Sequence, residues 1–412
     1  MVLFKHVETD KMAISELKRY KLKMQIMSLL YQKGSRSAST LSKLTNVSLP
    51  TVRLVLDELI DENVVAIRGI GDSQGGRKPV IYSLSSDAFY ILAVELGHHS
   101  AKAVIYNSHN AEVSRILSFG TNINDAGLET AVDKALNALL AETRLQRQKI
   151  IAIGLSMPGL IDSEQGINKT VRKENSRDVV SRFTRYFQIK TFIENDARMQ
   201  ALGEFTFGAA RHTRDAIVIN WDWGLGLGMI LDGTIFKGAN GSAGEFSHIR
   251  IDEEGDLCEC GKKGCLQSMS GAGKLISMAR EELEKGAVSQ LTAQFALNPD
   301  SLKPNDIINC AKKGDELSMM LLSKLSTRMA WGLSVLIQLL NPELIVLSGP
   351  MLKANQYVLI PIQQALHKYC LESILENVRI EVSQMDESAG LKGVAVMVFQ
   401  KIFSDKSQTA SI

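Results

Sequence analysis

No stretch of this 412-residue chain comes near the roughly 18 consecutive apolar residues of a membrane-spanning helix. The opening MVLFKHVETDK is charged too early to hold the apolar stretch of a secretory leader. Cysteine is scarce, and its count of five is odd, which argues against a disulfide framework. Net charge is almost absent as well, +2 from 47 Lys+Arg against 45 Asp+Glu. With 45% hydrophobic and 22% charged residues, the expectation is a cytosolic globular protein of two or three domains. The small net charge hides an asymmetry. Residues 1–90 hold 13 basic and 9 acidic side chains, so the front is mildly basic and the remainder slightly acidic.

The front carries the pattern of a DNA reader. Leu22, Ile26, Leu29 and Leu30 recur at helical spacing. Ser37 stands as an N-cap before a second helix with Leu41 and Leu44 on one face, and Asn46 suits the left-handed turn after it. Ser48 opens a third helix with Pro50 in its first turn. There Val52, Val55, Leu56 and Leu59 form an apolar stripe, with Thr51, Arg53, Asp57 and Glu58 left facing out. Two strand patterns, Val64–Arg68 and Val80–Leu84, then flank a Gly-rich tip bearing Arg77 and Lys78. Helix, turn, helix and wing together predict a winged helix-turn-helix over residues 1–87. Ser48, Thr51 and Arg53 are expected to face bases and phosphates, and Arg77 and Lys78 to reach the backbone or minor groove. The competing reading is a small helical interaction module with a solvated hairpin.

After Asp87 the texture becomes α/β and repeats. A strand meander over 89–119, a helix near Leu128–Leu145 and a buried strand Ile150–Ser156 form one half. The stretch DAIVINWDWGLGLGMILDGTIFKG, a long helix near Ser318–Leu340 and the strand Glu343–Gly349 form the other. Two such halves predict a duplicated α/β body with a cleft between lobes, in the manner of actin-like sugar kinases. The expected bounds are 88–207 with 385–412 for the first lobe and 208–384 for the second. The second lobe would also carry the metal element and a dimerisation surface.

Two stretches carry chemistry. His248, Cys258, Cys260 and Cys265 supply one imidazole and three thiols, a closed tetrahedral set suited to structural zinc. The alternative is three reduced cysteines on a loop with His248 satisfied elsewhere. In NWDWGLGLG, Asn220–Gly228, glycines alternate as in a loop that lets backbone approach a phosphate, yet Trp223 sits inside it. Trp223 either fills that space or packs in the core.

The motifs SMPGLID (Ser156–Asp162), ENDARMQALGE (Glu194–Glu204), GEFSH (Gly244–His248) and CECGKKGCLQ (Cys258–Gln267) resemble those of the ROK family of repressors and sugar kinases. The resemblance covers nearly the whole chain, including the winged helix of the repressor branch. It implies a zinc element made by His248, Cys258, Cys260 and Cys265. It also implies sugar contacts at Gly159, Asn175, Asn195, Asp196, Glu245 and His248, with Asp196 at the position of the kinase base. Gln267 stands where the family usually has Glu, a neutral near-isostere that adds a donor. Both phosphate loops depart from the kinase pattern: Glu95, Gly97, His98 and His99 replace the first, and Asp222, Trp223 and Gly224 the second. Of the expected glycine pair near the adenine end, Gly349 alone is kept. The resemblance therefore implies a non-enzymatic, sugar-responsive regulator, most simply a repressor. Its implied partners are operator DNA, a sugar or sugar phosphate, a second copy or a tetramer of the chain, and, as for one regulator of the family, a sugar-transport protein. The competing expectation is an ATP-dependent sugar kinase with a DNA-binding appendage.

Overall fold

A computed structural model describes residues 13–71, 78–97, 100–125, 127–171, 177–385 and 388–403. The chain forms two compact units. The first runs to Asn195 and takes up the chain again from Val394, and the second is Asp196–Gly393.

The first unit begins with α1 (Ile14–Lys33), β1 (Arg36–Ser37), α2 (Ala38–Thr45), α3 (Leu49–Asp61), β2 (Val65–Ile70) and β3 (Val80–Leu84). The strands join in the order β1-β3-β2. Helix α1 buries Leu22, Ile26, Met27 and Leu30, so Met27 rather than Leu29 completes its inner face. At α2 the Ser37 hydroxyl accepts from the Thr40 N–H at 3.2 Å, and Asn46 closes the helix at φ 57°. The inner face of α2 is Ala38, Leu41 and Thr45, and Leu44 points to solvent at 39% exposure. The reading that paired Leu44 with Leu41 fails because three residues advance the helix by only about 300°, past the edge of a narrow stripe. Helix α3 buries the predicted stripe Val52, Val55, Leu56 and Leu59. Ser48 stands at its N-cap without accepting a backbone N–H; its hydroxyl lies 2.8 Å from that of Thr51.

The same unit continues with β4 (Tyr90–Leu96), β5 (Ser100–Asn107), β6 (Leu117–Gly120), α4 (Leu128–Thr143), β7 (Ile150–Met157), β8 (Ile161–Asp162), β9 (Ile167–Asn168), α5 (Val179–Phe187) and β10 (Lys190–Asn195). Its main sheet has the order β10-β7-β4-β5-β6, antiparallel through β4, β5 and β6 and parallel through β4, β7 and β10. All eight residues of β7 are buried, as expected of a strand covered on both faces.

The second unit contains α6 (Asp196–Phe207), β11 (Ala216–Trp221), β12 (Leu225–Leu231), β13 (Thr234–Ile235), α7 (Leu266–Ser270), α8 (Ala272–Glu284), α9 (Thr292–Leu297), α10 (Pro304–Lys312), α11 (Glu316–Leu340), β14 (Leu344–Ser348), α12 (Gln356–Tyr369), α13 (Glu372–Leu375) and β15 (Arg379–Val382). Its sheet order is β13-β12-β11-β14-β15, with an antiparallel meander followed by two parallel strands. This repeats the first unit strand for strand, so the duplicated α/β body read from the sequence is present. The core of the second unit forms around α11, which buries Leu321, Leu322, Leu325, Met329, Leu333 and Ile337 along one side. Asp315 caps α11 and accepts from the Ser318 N–H at 2.9 Å.

A last helix, α14 (Ala389–Phe403), starts in the second unit and ends in the first. In the first unit it packs on β7 at Gly154, where a Cβ would lie 2.4 Å from Val394 and 2.5 Å from Val398. Further along, the Phe399 ring lies 4.8 Å from that of Tyr31 and 5.6 Å from that of Phe89, and the Phe403 ring lies 5.7 Å from Tyr31. The Tyr31 hydroxyl pairs with the side-chain amide of Asn110, at 3.0 Å to Oδ1 and 2.8 Å to Nδ2. Burial pushes this phenol well above its ordinary pKa, so it stays protonated. Four aromatic rings and one half-buried polar pair thus fix the winged helix to the first sheet. No helix among the described residues is long and apolar enough to cross a membrane.

Candidate functional site

Helix α3 presents Ser48, Thr51 and Arg53 to solvent, and Lys78 is exposed just ahead of β3. Arg77 lies outside the described residues. Glu58, read from the sequence as outward, is turned toward α1. There it pairs with Arg19 and with Lys23 at 3.0 Å, while Lys23 also holds Glu62 at 2.6 Å. Those partners are 35 and 39 positions away, beyond the reach of a periodicity argument. The pairing removes acidic charge from the face that carries Arg53, which favours approach to a polyanion.

In the second unit, α6 and the segment 241–267 build a polar site. Arg198, on α6 and only 4% exposed, donates from its guanidinium to the carbonyls of Gly241 and Ala243 and so fixes the loop leading to Glu245. Desolvation by the surrounding protein raises the Glu245 carboxyl pKa. His248 and Arg198 pull it down, and Asp196 pushes it up again. Asp196, Arg198, Glu245 and His248 therefore feel one another. Asp196 opens α6, its Oδ1 accepting from the Ala197 N–H at 2.9 Å. Gln267 lies on α7, its Oε1 only 3.3 Å from where a Cβ on Gly224 would be. In the first unit, Asn195 donates from Nδ2 to the Gly159 carbonyl at 3.2 Å. Asn175 lies outside the described residues. Arg198 was not singled out by the sequence reading, although an arginine directly after Asn-Asp-Ala on an otherwise apolar helix face was a usable signal.

His248, Cys258, Cys260 and Cys265 bring one ligand atom each within 4.8 Å of one another. The His248 Nδ1 lies 3.6 Å from the Cys258 Sγ, and the Cys260 and Cys265 sulfurs are also 3.6 Å apart. A tetrahedron with metal–sulfur bonds of about 2.3 Å has edges of about 3.8 Å, so the spacing fits. Backbone hydrogen bonding from Lys262 lowers the Cys260 thiol pKa, whereas burial pushes Cys265 up to about 12. A buried thiolate beside two others is costly unless a cation lies among them. The loop closes tightly at Gly264, φ +70°, where any Cβ would overlap the Asp252 carbonyl. The two nitrogens of His248 divide the work: Nδ1 faces the thiols, and Nε2 lies 3.9 Å from Glu245. A metal held here would set the ring, and the ring would set the carboxylate.

The stretch NWDWGLGLG is a hairpin tip between β11 and β12. Trp221 is the core residue, fully buried and donating from Nε1 to the Ser270 carbonyl at 2.8 Å. Trp223 is 61% exposed, which rules out the reading that packs it in the core. Register explains the difference: Trp221 pairs with Leu225 in the ladder, and Trp223 stands at the turn beyond it. The indole lies over the start of α8, 3.2 Å from where a Cβ on Gly273 would be. The Asp222 carbonyl accepts from the Ala272 N–H at 3.0 Å, so the tip occupies a donor at the α8 N-terminus. His98 and His99 lie outside the described residues.

The duplicated α/β body matches a known family model. The model of the ROK family matches residues 91–401. The chain belongs to the ROK family. This ROK chain is 26% identical to the xylose repressor of Caldicellulosiruptor bescii over 388 residues, 93% of this chain and 96% of that protein. It is 24% identical to the DNA-binding transcriptional dual regulator NagC of Escherichia coli K12, covering 90% of each. Among solved structures it resembles a ROK family transcriptional regulator described as a homologue of the E. coli MLC protein. That match has TM-score 0.76 and 24% identity, covering 93% of this chain and 97% of that one. The latter likeness shows the fold, winged helix included.

Proposed function

We propose that this ROK chain is a sugar-responsive transcriptional repressor. One observation carries the reading: a single chain holds a helix-turn-helix with Arg53 exposed on its outward face, within a mildly basic N-terminal segment, and a polar cluster suited to a sugar ring. In the second unit Asp196 and Glu245 offer carboxylates and Gln267 offers an amide, and such groups read neighbouring hydroxyls by accepting and donating. Relatives named for xylose and for N-acetylglucosamine regulation support a carbohydrate effector or its phosphate. The metal is zinc, matching one imidazole and three thiolates, and it would supply a fixed cross-link with no open coordination position. His248 then holds Glu245 toward the ligand. Operator DNA is bound by a dimer or tetramer whose two winged helices match half-sites about one helical turn apart. The effector weakens operator binding only by its differential affinity for the two states. Such work belongs in the cytoplasm, and a sugar-transport protein is a further partner in this reading.

The reading includes the loss of kinase activity. Asp222 brings negative charge and Trp223 bulk to the turn where a polyphosphate would lie. Asp196 keeps the position of a kinase base, so ADP release over a panel of sugars is the control. The deciding experiment selects a duplex from a random pool and measures its affinity against pentoses, hexoses, amino sugars and their phosphates. The expected result is one sugar class that lowers operator affinity and raises the thermal midpoint. Turnover of ATP with a sugar, or the absence of any selected sequence, would overturn the reading.

A further inference from the structure

Helix α3 has an inner face of Val52, Val55, Leu56 and Leu59, none more than 1% exposed. At 100° per residue, the middle of the opposite face is Pro50, Leu54 and Asp57, with Thr51 and Arg53 on its flanks. Leu54 is 53% exposed at the centre of that face. A single exposed leucine is ordinary on a protein surface. Its place sets this one apart. It directly follows Arg53, on the helix whose outward face meets DNA in this architecture. Glu58, one turn on, is drawn off toward Arg19 and Lys23 of α1, and the acids that share the outward face with Leu54 are Asp57 and Asp61.

The major groove offers one apolar feature, the 5-methyl group of thymine, and guanine offers the O6/N7 pair that suits arginine. Resting on the DNA-binding reading above, we infer that Leu54 is a specificity-determining residue. It packs on a thymine methyl next to the base pair read by Arg53. Removing either the methyl or the side chain deletes the same contact.

The test uses a duplex selected from a random pool by the full-length protein. Each thymine is replaced singly by deoxyuridine, which removes only the methyl. At one thymine per half-site the replacement weakens wild-type binding about fourfold, the worth of one buried methyl. Leu54→Ala weakens binding to the unmodified duplex by a similar factor, and deoxyuridine at that position costs the variant nothing more. Leu54→Met keeps most of the methyl dependence. Because Leu54 is exposed, the thermal midpoint of Leu54→Ala matches wild type, which separates lost contact from lost fold. Wild-type binding indifferent to every thymine methyl overturns the inference, and so does an equal deoxyuridine loss in wild type and Leu54→Ala. Both results leave the DNA-binding reading intact; a pool that yields no enriched sequence overturns that reading and this inference with it.

Discussion

Cys260→Ser isolates the metal from the packing. Cys260 is exposed, so the change removes no buried surface, and Ser nearly preserves the shape of the side chain. By contrast, Cys258 and Cys265 are 4% and 0% exposed, and replacing either would mix ligation with core loss. The ion closes a loop from His248 to Cys265, about 17 residues, which a cross-link stabilises by roughly 3 kcal/mol through chain entropy. For a unit of this size each kcal/mol moves the midpoint by about 2–4 °C, so the expected drop is roughly 6–12 °C. Elemental analysis and scanning calorimetry are run on wild type and variant, each with and without chelator. Wild type should hold about one zinc per chain, and chelator should lower its midpoint by a similar amount while leaving the variant nearly unmoved. A wild-type protein free of zinc after non-chelating purification, or a variant with full zinc and an unchanged midpoint, would refute the reasoning.

Four further outcomes are expected. Arg53→Ala costs about 1–3 kcal/mol on the selected duplex and relaxes its sequence preference, whereas Lys78→Ala weakens all duplexes alike and lowers the salt slope by about one; equal losses for both in a gel-shift comparison would contradict this division. Isothermal titration of wild type with ATP gives no measurable heat, and micromolar binding would make the kinase reading the leading one. Arg198→Met frees the Gly241 and Ala243 carbonyls and lowers sugar affinity about tenfold or more, the scale of one charge-assisted hydrogen bond; unchanged zinc content shows that the loss lies in the loop. Asp315 is buried, which raises its pKa, but bonds from Ser318, Gln290 and Ser289 outweigh this and hold the carboxylate below its ordinary value. Its stabilisation is therefore full above the unfolded value near 3.9 and is lost as pH falls through the lower folded one; Asp315→Ala costs about 1–2 kcal/mol at pH 7, and the gap to wild type closes in acid unfolding below about pH 4.

Where an interaction is local, the residues foretell it. Ser37 capping Thr40, Asn46 at positive φ and the stripe of α3 all follow from spacing within a turn or two. The doubled α/β body was legible because each half repeats the same alternation of strand patterns and long helices. The four possible metal ligands were legible from residue type, and the structure brings them together. What stayed hidden depended on register or on distant partners. Trp221 and Trp223 lie two positions apart in one apolar stretch, and only the place of the turn decides which is buried. The pairing of Glu58 with α1 and the anchoring of the 241–243 loop by Arg198 join residues about 40 positions apart. No propensity scale carries that information.

The Tyr31–Phe89–Phe399–Phe403 cluster has a consequence for biosynthesis. Tyr31 leaves the ribosome early, and Phe399 is added 368 residues later. At the usual 5–20 residues per second, roughly 20–70 s separate the two. During that interval α1 has its own small core but lacks the partner rings of α14, and the strand β7 lacks Val394 and Val398. Until then the Tyr31–Asn110 pair holds α1 to the first sheet without the packing of the α14 rings. A message cut short before codon 399 would yield an N-terminal helical segment held to the first sheet by that polar pair but without its aromatic clamp.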